Sequence, residues 1–101
     1  IADLGGVLIA LDAYHLSQHG KTPAVIDGFD GDQRLLISYA QSWQGKVRDD
    51  TLKMRLVADV HSPYDFRVIG PMRNVDAWYS EFKVEPGDKY YLKPEDRVRI
   101  W

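Results

Sequence analysis

Apolar residues recur at spacings of three and four from Ile1 to His19, with Leu4, Val7, Leu8, Leu11 and Tyr14 on one face. That spacing predicts an amphipathic helix. Ile9 and Leu16 widen its apolar surface, so burial around much of its circumference is expected. Gly5 and Gly6 weaken such a helix by about 1 kcal/mol each relative to alanine. They would suit the close approach of another backbone or a ligand. Gly20 is a stop signal, and 20–31, with Gly20, Pro23, Gly28 and Gly31, reads as a loop. A second helix is predicted to begin near Asp32, with Leu35, Leu36, Tyr39, Ala40 and Trp43 as its apolar face and Gly45 near its end.

Asp49 and Asp50 offer a cap for a third helix and place negative charge at its favourable end. Leu52, Leu56 and Val60 follow at spacings of four, and Arg55 is placed to pair with Asp59. Pro63 closes that helix. The short β-prone stretch Phe66-Arg67-Val68-Ile69, cut off by Gly70-Pro71, predicts a brief strand. Asn74 can cap a fourth helix carrying Val75, Trp78, Tyr79 and Phe82. From Pro86 onward proline and glycine break the pattern, and the tail Arg97-Val98-Arg99-Ile100-Trp101 alternates. Its final Trp101 is expected to pack, because a large aromatic is costly to leave in water. The expectation is a mainly α chain of about four helices, with at most one or two short strands and an irregular tail, forming one unit over 1–101.

Composition narrows the function classes. A hydrophobic content of 45% over 101 residues is that of a globular chain. With 13 basic and 15 acidic residues and a net charge of -2, nothing favours nucleic acid as a partner. No cysteine is present, which excludes disulfides and thiolate metal sites. No apolar run approaches the roughly 18 residues of a membrane span. The glycines form neither a phosphate loop nor a dinucleotide fingerprint, and no serine sits in a nucleophile elbow.

Asp59-Val60-His61-Ser62-Pro63 followed by Phe66-Arg67 carries the densest chemistry. A carboxylate near His61 can set its tautomer and support the imidazolium. Arg67 offers planar donors suited to a carbonyl or carboxylate. Together they could stabilise an oxyanion; a helix-terminal salt bridge with His61 as a cap is the simpler alternative. His15 and His19 have metal-compatible spacing but lack the glutamate of a zincin motif, and read as solvated residues of a last helical turn. Asp27-Gly28-Phe29-Asp30-Gly31-Asp32 lacks calcium-loop spacing and reads as a turn followed by a helix cap.

Four segments, in order, resemble the C-terminal end of the neprilysin and endothelin-converting-enzyme family and its bacterial endopeptidase O relatives. They are Ile1-Ala2-Asp3-Leu4-Gly5-Gly6, Tyr39-Ala40-Gln41-Ser42-Trp43, Asp59 to Gly70, and Arg99-Ile100-Trp101. The resemblance implies part of a larger zincin-like catalytic domain in a zinc endopeptidase acting on peptides of limited size. It implies His61 as the donor to the tetrahedral intermediate and Asp59 as the acid orienting it. Arg67 would bind a substrate carbonyl. Trp43 would lie near the pocket for the residue after the scissile bond. Asp3 would be the outer partner of a zinc-binding histidine. The family's His-Glu-x-x-His is absent, and its third zinc ligand would lie two residues before Ile1. The chain is therefore expected to be a piece of a longer enzyme, holding no catalytic zinc by itself and inactive alone. Gln44, Val84 and Val98 stand where animal relatives carry cysteines, which suits a bacterial member. The resemblance favours the periplasm or cell surface. Uncovered apolar surface on the first helix, including Leu4 and Leu8, is expected to promote self-association. The alternative is a helical binding module that has lost catalysis; an upstream His-Glu-x-x-His would decide against it.

Overall fold

A computed structural model describes residues 1–100, and the packing expected of Trp101 falls outside the described residues. The chain is mainly α. Five helices run in order: α1 (Ala2–Ser17), α2 (Gly31–Ser42), α3 (Asp49–Ala58), α4 (Tyr64–Met72) and α5 (Asp76–Phe82), followed by a single 3-10 turn at Pro94–Asp96. No strand occurs among the described residues. Ile26 and Phe29 exchange two backbone hydrogen bonds of 2.9 Å around a tight turn. Asp27 and Gly28 occupy that turn with φ of 52° and 82°, the left-handed region that Asp and Gly tolerate best.

The periodicity of α1 is realised: Leu4, Val7 and Leu11 are buried. The helix stops at Ser17, short of His19, because His19 and Gly20 both turn left-handed. Gly5 is buried, but a Cβ on Gly6 would meet nothing, so close approach does not explain that glycine. It is Gly31 that needs to be small: a Cβ there would collide with the hydroxyl of Tyr14, where α1 and α2 touch. Asp30 caps α2 reciprocally. Its carboxylate accepts from the Gln33 N–H at 2.8 Å, and the Gln33 side chain accepts from the Asp30 N–H at 3.1 Å. The same Gln33 donates to the carbonyl of Glu81, tying α2 to the end of α5.

The stretch expected as a strand is helical. Phe66 to Ile69 lie inside α4, where Val68 packs on the core and Met72, one turn on, is buried. A strand would place residues 68 and 72 on one face but lose the close helix contact with α1 that buries them. β-propensity yields here to tertiary packing. This helix makes the count five rather than four. Asn74 does not cap α5. Its side chain donates to Gly70 O at the end of α4 and accepts from the Val98 N–H, fastening the tail. In α3 the expected stripe Leu52, Leu56, Val60 is not buried; Val60 lies beyond the helix end and is 95% exposed.

Leu4, Val7, Leu11, Leu36, Met72 and Val75 form the core, with Tyr39, Trp78 and Ile100 packed around it. Leu4 is thus covered by its own chain and Leu8 packs on the same cluster, which corrects their assignment to a free surface. Ile1, Ile9 and Leu16 are the large apolar residues of this segment left in solvent.

Candidate functional site

The ends of four helices converge on the candidate residues. Asp3 lies in the first turn of α1, Trp43 closes α2, Asp59 closes α3, and Arg67 is in the first half of α4. His61 sits in the short connection between α3 and α4.

Arg67 is the best-anchored of them. Its Nε and one terminal nitrogen donate to the two oxygens of Asp3 at 2.8 and 2.7 Å, a bidentate clasp between residues 64 apart in the chain. The guanidinium carbon lies 4.0 Å from the centre of the Trp43 ring. The clasp holds the Asp3 carboxyl below its usual range, first through the Arg67 hydrogen bonds, with a smaller pull from His61. Nη1 of Arg67 makes no hydrogen bond among the described residues.

The backbone of Arg67 is held as well. Pro71 has no N–H, so in α4 the carbonyl of Arg67 loses its normal helical partner. The hydroxyl of Tyr39 donates to that carbonyl at 2.7 Å and replaces the missing bond. Burial, and then the Asp3 charge, raises the Tyr39 hydroxyl above its ordinary pKa, which keeps it a donor.

Among the described residues, His61 is hydrogen-bonded by Asp59 alone. Its backbone N–H donates to Asp59 Oδ1 at 2.9 Å, and ring Nδ1 lies 2.8 Å from the same oxygen. An ionised carboxylate only accepts, so Nδ1 carries the proton. Nε2 is therefore the acceptor of a neutral ring or the second donor of an imidazolium. These bonds, the backbone one first, hold Asp59 below the usual carboxylate range. The His61 and Asp59 side chains are 62% and 42% exposed, against 22% and 25% for Arg67 and Asp3.

His61 and Arg67 face a common cleft of about 350 Å³ between α3 and α4. Leu52, Leu56 and Pro63 supply apolar wall, and Arg55 and Tyr64 complete it. Both also line a neighbouring depression that reaches Asp3, so the pair bridges two hollows. Trp43 lines neither; it stands behind Arg67, in a shallower groove with Ala40 and Gly45. The expected Arg55–Asp59 pair does not form. Asp59 turns to His61, and Arg55 donates to the Tyr64 hydroxyl at 3.0 Å. His15 binds Asp32 with its Nε2 2.8 Å from both oxygens, and His19 has left the helix, so the two histidines do not share a site. Among the described residues no three His, Asp or Glu side chains cluster as metal ligands.

Relatives of known kind share this arrangement of segments. The model of peptidase family M13 matches residues 1–98. The chain belongs to peptidase family M13. A neutral endopeptidase of Lactobacillus helveticus is 39% identical over the whole chain, and an endothelin-converting enzyme homolog of Locusta migratoria is 33% identical. The chain spans 14% of the length of each. The crystal structure of the Mycobacterium tuberculosis zinc metalloprotease Zmp1 in complex with an inhibitor superposes with a TM-score of 0.94 at 49% identity. That match covers 98% of this chain and 15% of Zmp1. The M13 kinship supports the resemblance seen in the four segments, bacterial relatives included.

Tyr39 and Tyr64 were not singled out for function by spacing. Each lies within a segment of the family resemblance, but its role depends on a partner on another helix. Only the missing N–H of Pro71, read against a helical rather than extended stretch, signals the need for Tyr39.

Proposed function

We propose that the whole protein is a zinc-dependent endopeptidase. This chain, one unit within its catalytic domain, forms the side of the active site that holds the peptide and stabilises the oxyanion. The observation that carries this reading is the Asp59–His61 pair, with Nδ1 engaged and Nε2 available, in the same cleft as the clasped Arg67. Asp59 sustains the positive ring, and Nε2–H then donates to the oxygen on which charge develops. Arg67, immobilised by Asp3 and Trp43, directs its remaining Nη1 donors at a peptide carbonyl and fixes the register of the substrate. Trp43 backs Arg67 and borders the groove beside it, near the pocket for the residue after the scissile bond. Asp3 retains a lone pair on each oxygen for a histidine contributed by another part of the protein. Zinc would be held by residues elsewhere in the protein.

Kinship with peptidases favours this over a binding module without catalysis. Among the described residues no helix is long and apolar enough to cross a membrane. A periplasmic or cell-surface site of action, testable by fractionation, is part of the proposal.

The test is hydrolysis of short peptides by the whole protein, abolished by a chelator and restored by zinc. His61→Ala should lower kcat by about 10²–10³-fold, the usual loss for one oxyanion donor, and leave KM nearly unchanged. An unchanged kcat would return His61 to a capping role.

A further inference from the structure

Three basic side chains line the cleft between α3 and α4: His61, Arg67 and Arg55. Two of them are paired. His61 is bound to Asp59, and Arg67 to Asp3. Arg55 has no carboxylate within ion-pair distance among the described residues. Asp59 is taken up by His61. Asp65, the other acid of the cleft, lies in the first turn of α4, where its charge faces the positive helix end.

Arg55 is nonetheless held in place. One terminal nitrogen donates to the Tyr64 hydroxyl at 3.0 Å, and its guanidinium carbon stands 5.5 Å from the centre of the same ring. Tyr64 in turn packs against Trp43, 6.1 Å between ring centres, and Trp43 backs Arg67. One aromatic pair therefore steadies both guanidinium groups, one at each end. The remaining N–H groups of Arg55 have no partner among the described residues, and Leu52 and Leu56 border the same space. A fixed fork of donors beside apolar wall suits a carboxylate, whose two oxygens it can engage at once in charge-assisted bonds, better than a neutral carbonyl.

We propose that Arg55 is a specificity-determining residue that receives a substrate carboxylate, from either the peptide's own C-terminus or an acidic side chain next to the bond to be cut. The proposal rests on the endopeptidase reading for the position of that bond. The recognition of a carboxylate by Arg55 can be tested separately from turnover.

The experiment uses the whole protein and two matched pairs of peptides. One pair differs only in a free or amidated C-terminus, the other only in Glu or Gln after the cleaved bond. The ratio of kcat/KM within each pair reads the preference. The expected result is a preference of about tenfold or more for the acid in one pair, which identifies the source of the carboxylate. In Arg55→Gln that ratio should fall close to one. Arg55→Lys, which keeps the charge but not the fork, should retain part of it. Tyr64→Phe, which releases the guanidinium without removing it, should lower it by a smaller factor.

Calorimetry with versions of the same peptides made uncleavable by N-methylation at the target bond gives the binding ratio without turnover. If no peptide is cleaved but the acid form binds more tightly and Arg55→Gln removes the difference, the endopeptidase reading fails and the carboxylate site stands. If peptides are cleaved with equal efficiency in both pairs, or the preference survives in Arg55→Gln, the site assigned to Arg55 is overturned and the endopeptidase reading stands.

Discussion

The two sides of the cleft are built differently. On one side, α1, α2, α4 and α5 meet around Leu36 and Val75, which are 2% and 0% exposed. On the other, α3 buries no residue at all: Met54 is 62% exposed and Val57 90%. Arg67 belongs to the packed side and is restrained at both its side chain and its carbonyl. His61 hangs from the end of α3 and is restrained by one carboxylate. Under the proposed function, Arg67, which holds the substrate in register, gains from the packed side, and His61, the donor to the developing charge, stands at the more open edge.

That contrast can be broken most strongly in the core. Leu36→Ala should cost the 101-residue chain about 2–5 kcal/mol in denaturant unfolding, the usual range for an emptied leucine site. Tyr39→Phe comes next. It leaves the Arg67 carbonyl without a partner beside Pro71, and about 1–3 kcal/mol should be lost. The same change should raise KM more than it lowers kcat, because it disturbs Arg67, the group we propose positions substrate. An unaltered stability would show that water replaces the tyrosine hydroxyl.

The Asp3–Arg67 clasp sharpens the comparison through pH. The folded-state pKa of Asp3 lies below its ordinary value of 3.8. Its stabilising contribution is therefore fully present above about pH 4 and is lost as pH falls through the folded-state value. Asp3→Asn should accordingly be less stable than the parent chain at pH 7, and the gap should close in strong acid. A gap that stayed constant would mean that the clasp does not discriminate between the ionised and protonated acid. The smallest effect belongs to α3: Met54→Ala should change stability by less than about 0.5 kcal/mol, as at other exposed sites.

How much of this was readable beforehand depends on how far apart the partners lie. The Asp27–Asp32 turn and cap, and the Asp59–His61 pair, involve neighbours, and their spacing announces them. In the stretch 66–69, Val68 and Ile69 favour a strand locally, while the contact with α1 that makes them helical is nonlocal. Helical spacing pairs Arg55 with Asp59, but the helix ends at Ala58, and Asp59 turns away in an extended conformation. The Asp3–Arg67 clasp joins residues 64 apart in the chain, so no local pattern encodes it. Resemblance marked both residues as important without pairing them.

The central claim is that His61 acts on the charge that develops during the reaction, whereas Arg67 acts on the substrate in both its states. It is tested most directly by the affinity of the whole protein for a tetrahedral phosphorus analogue of a peptide substrate, measured beside the KM of the parent peptide. In His61→Ala, affinity for the analogue should fall in proportion to kcat/KM while KM stays nearly constant; in Arg67→Ala both should weaken. Undiminished binding of the analogue by His61→Ala would contradict the account.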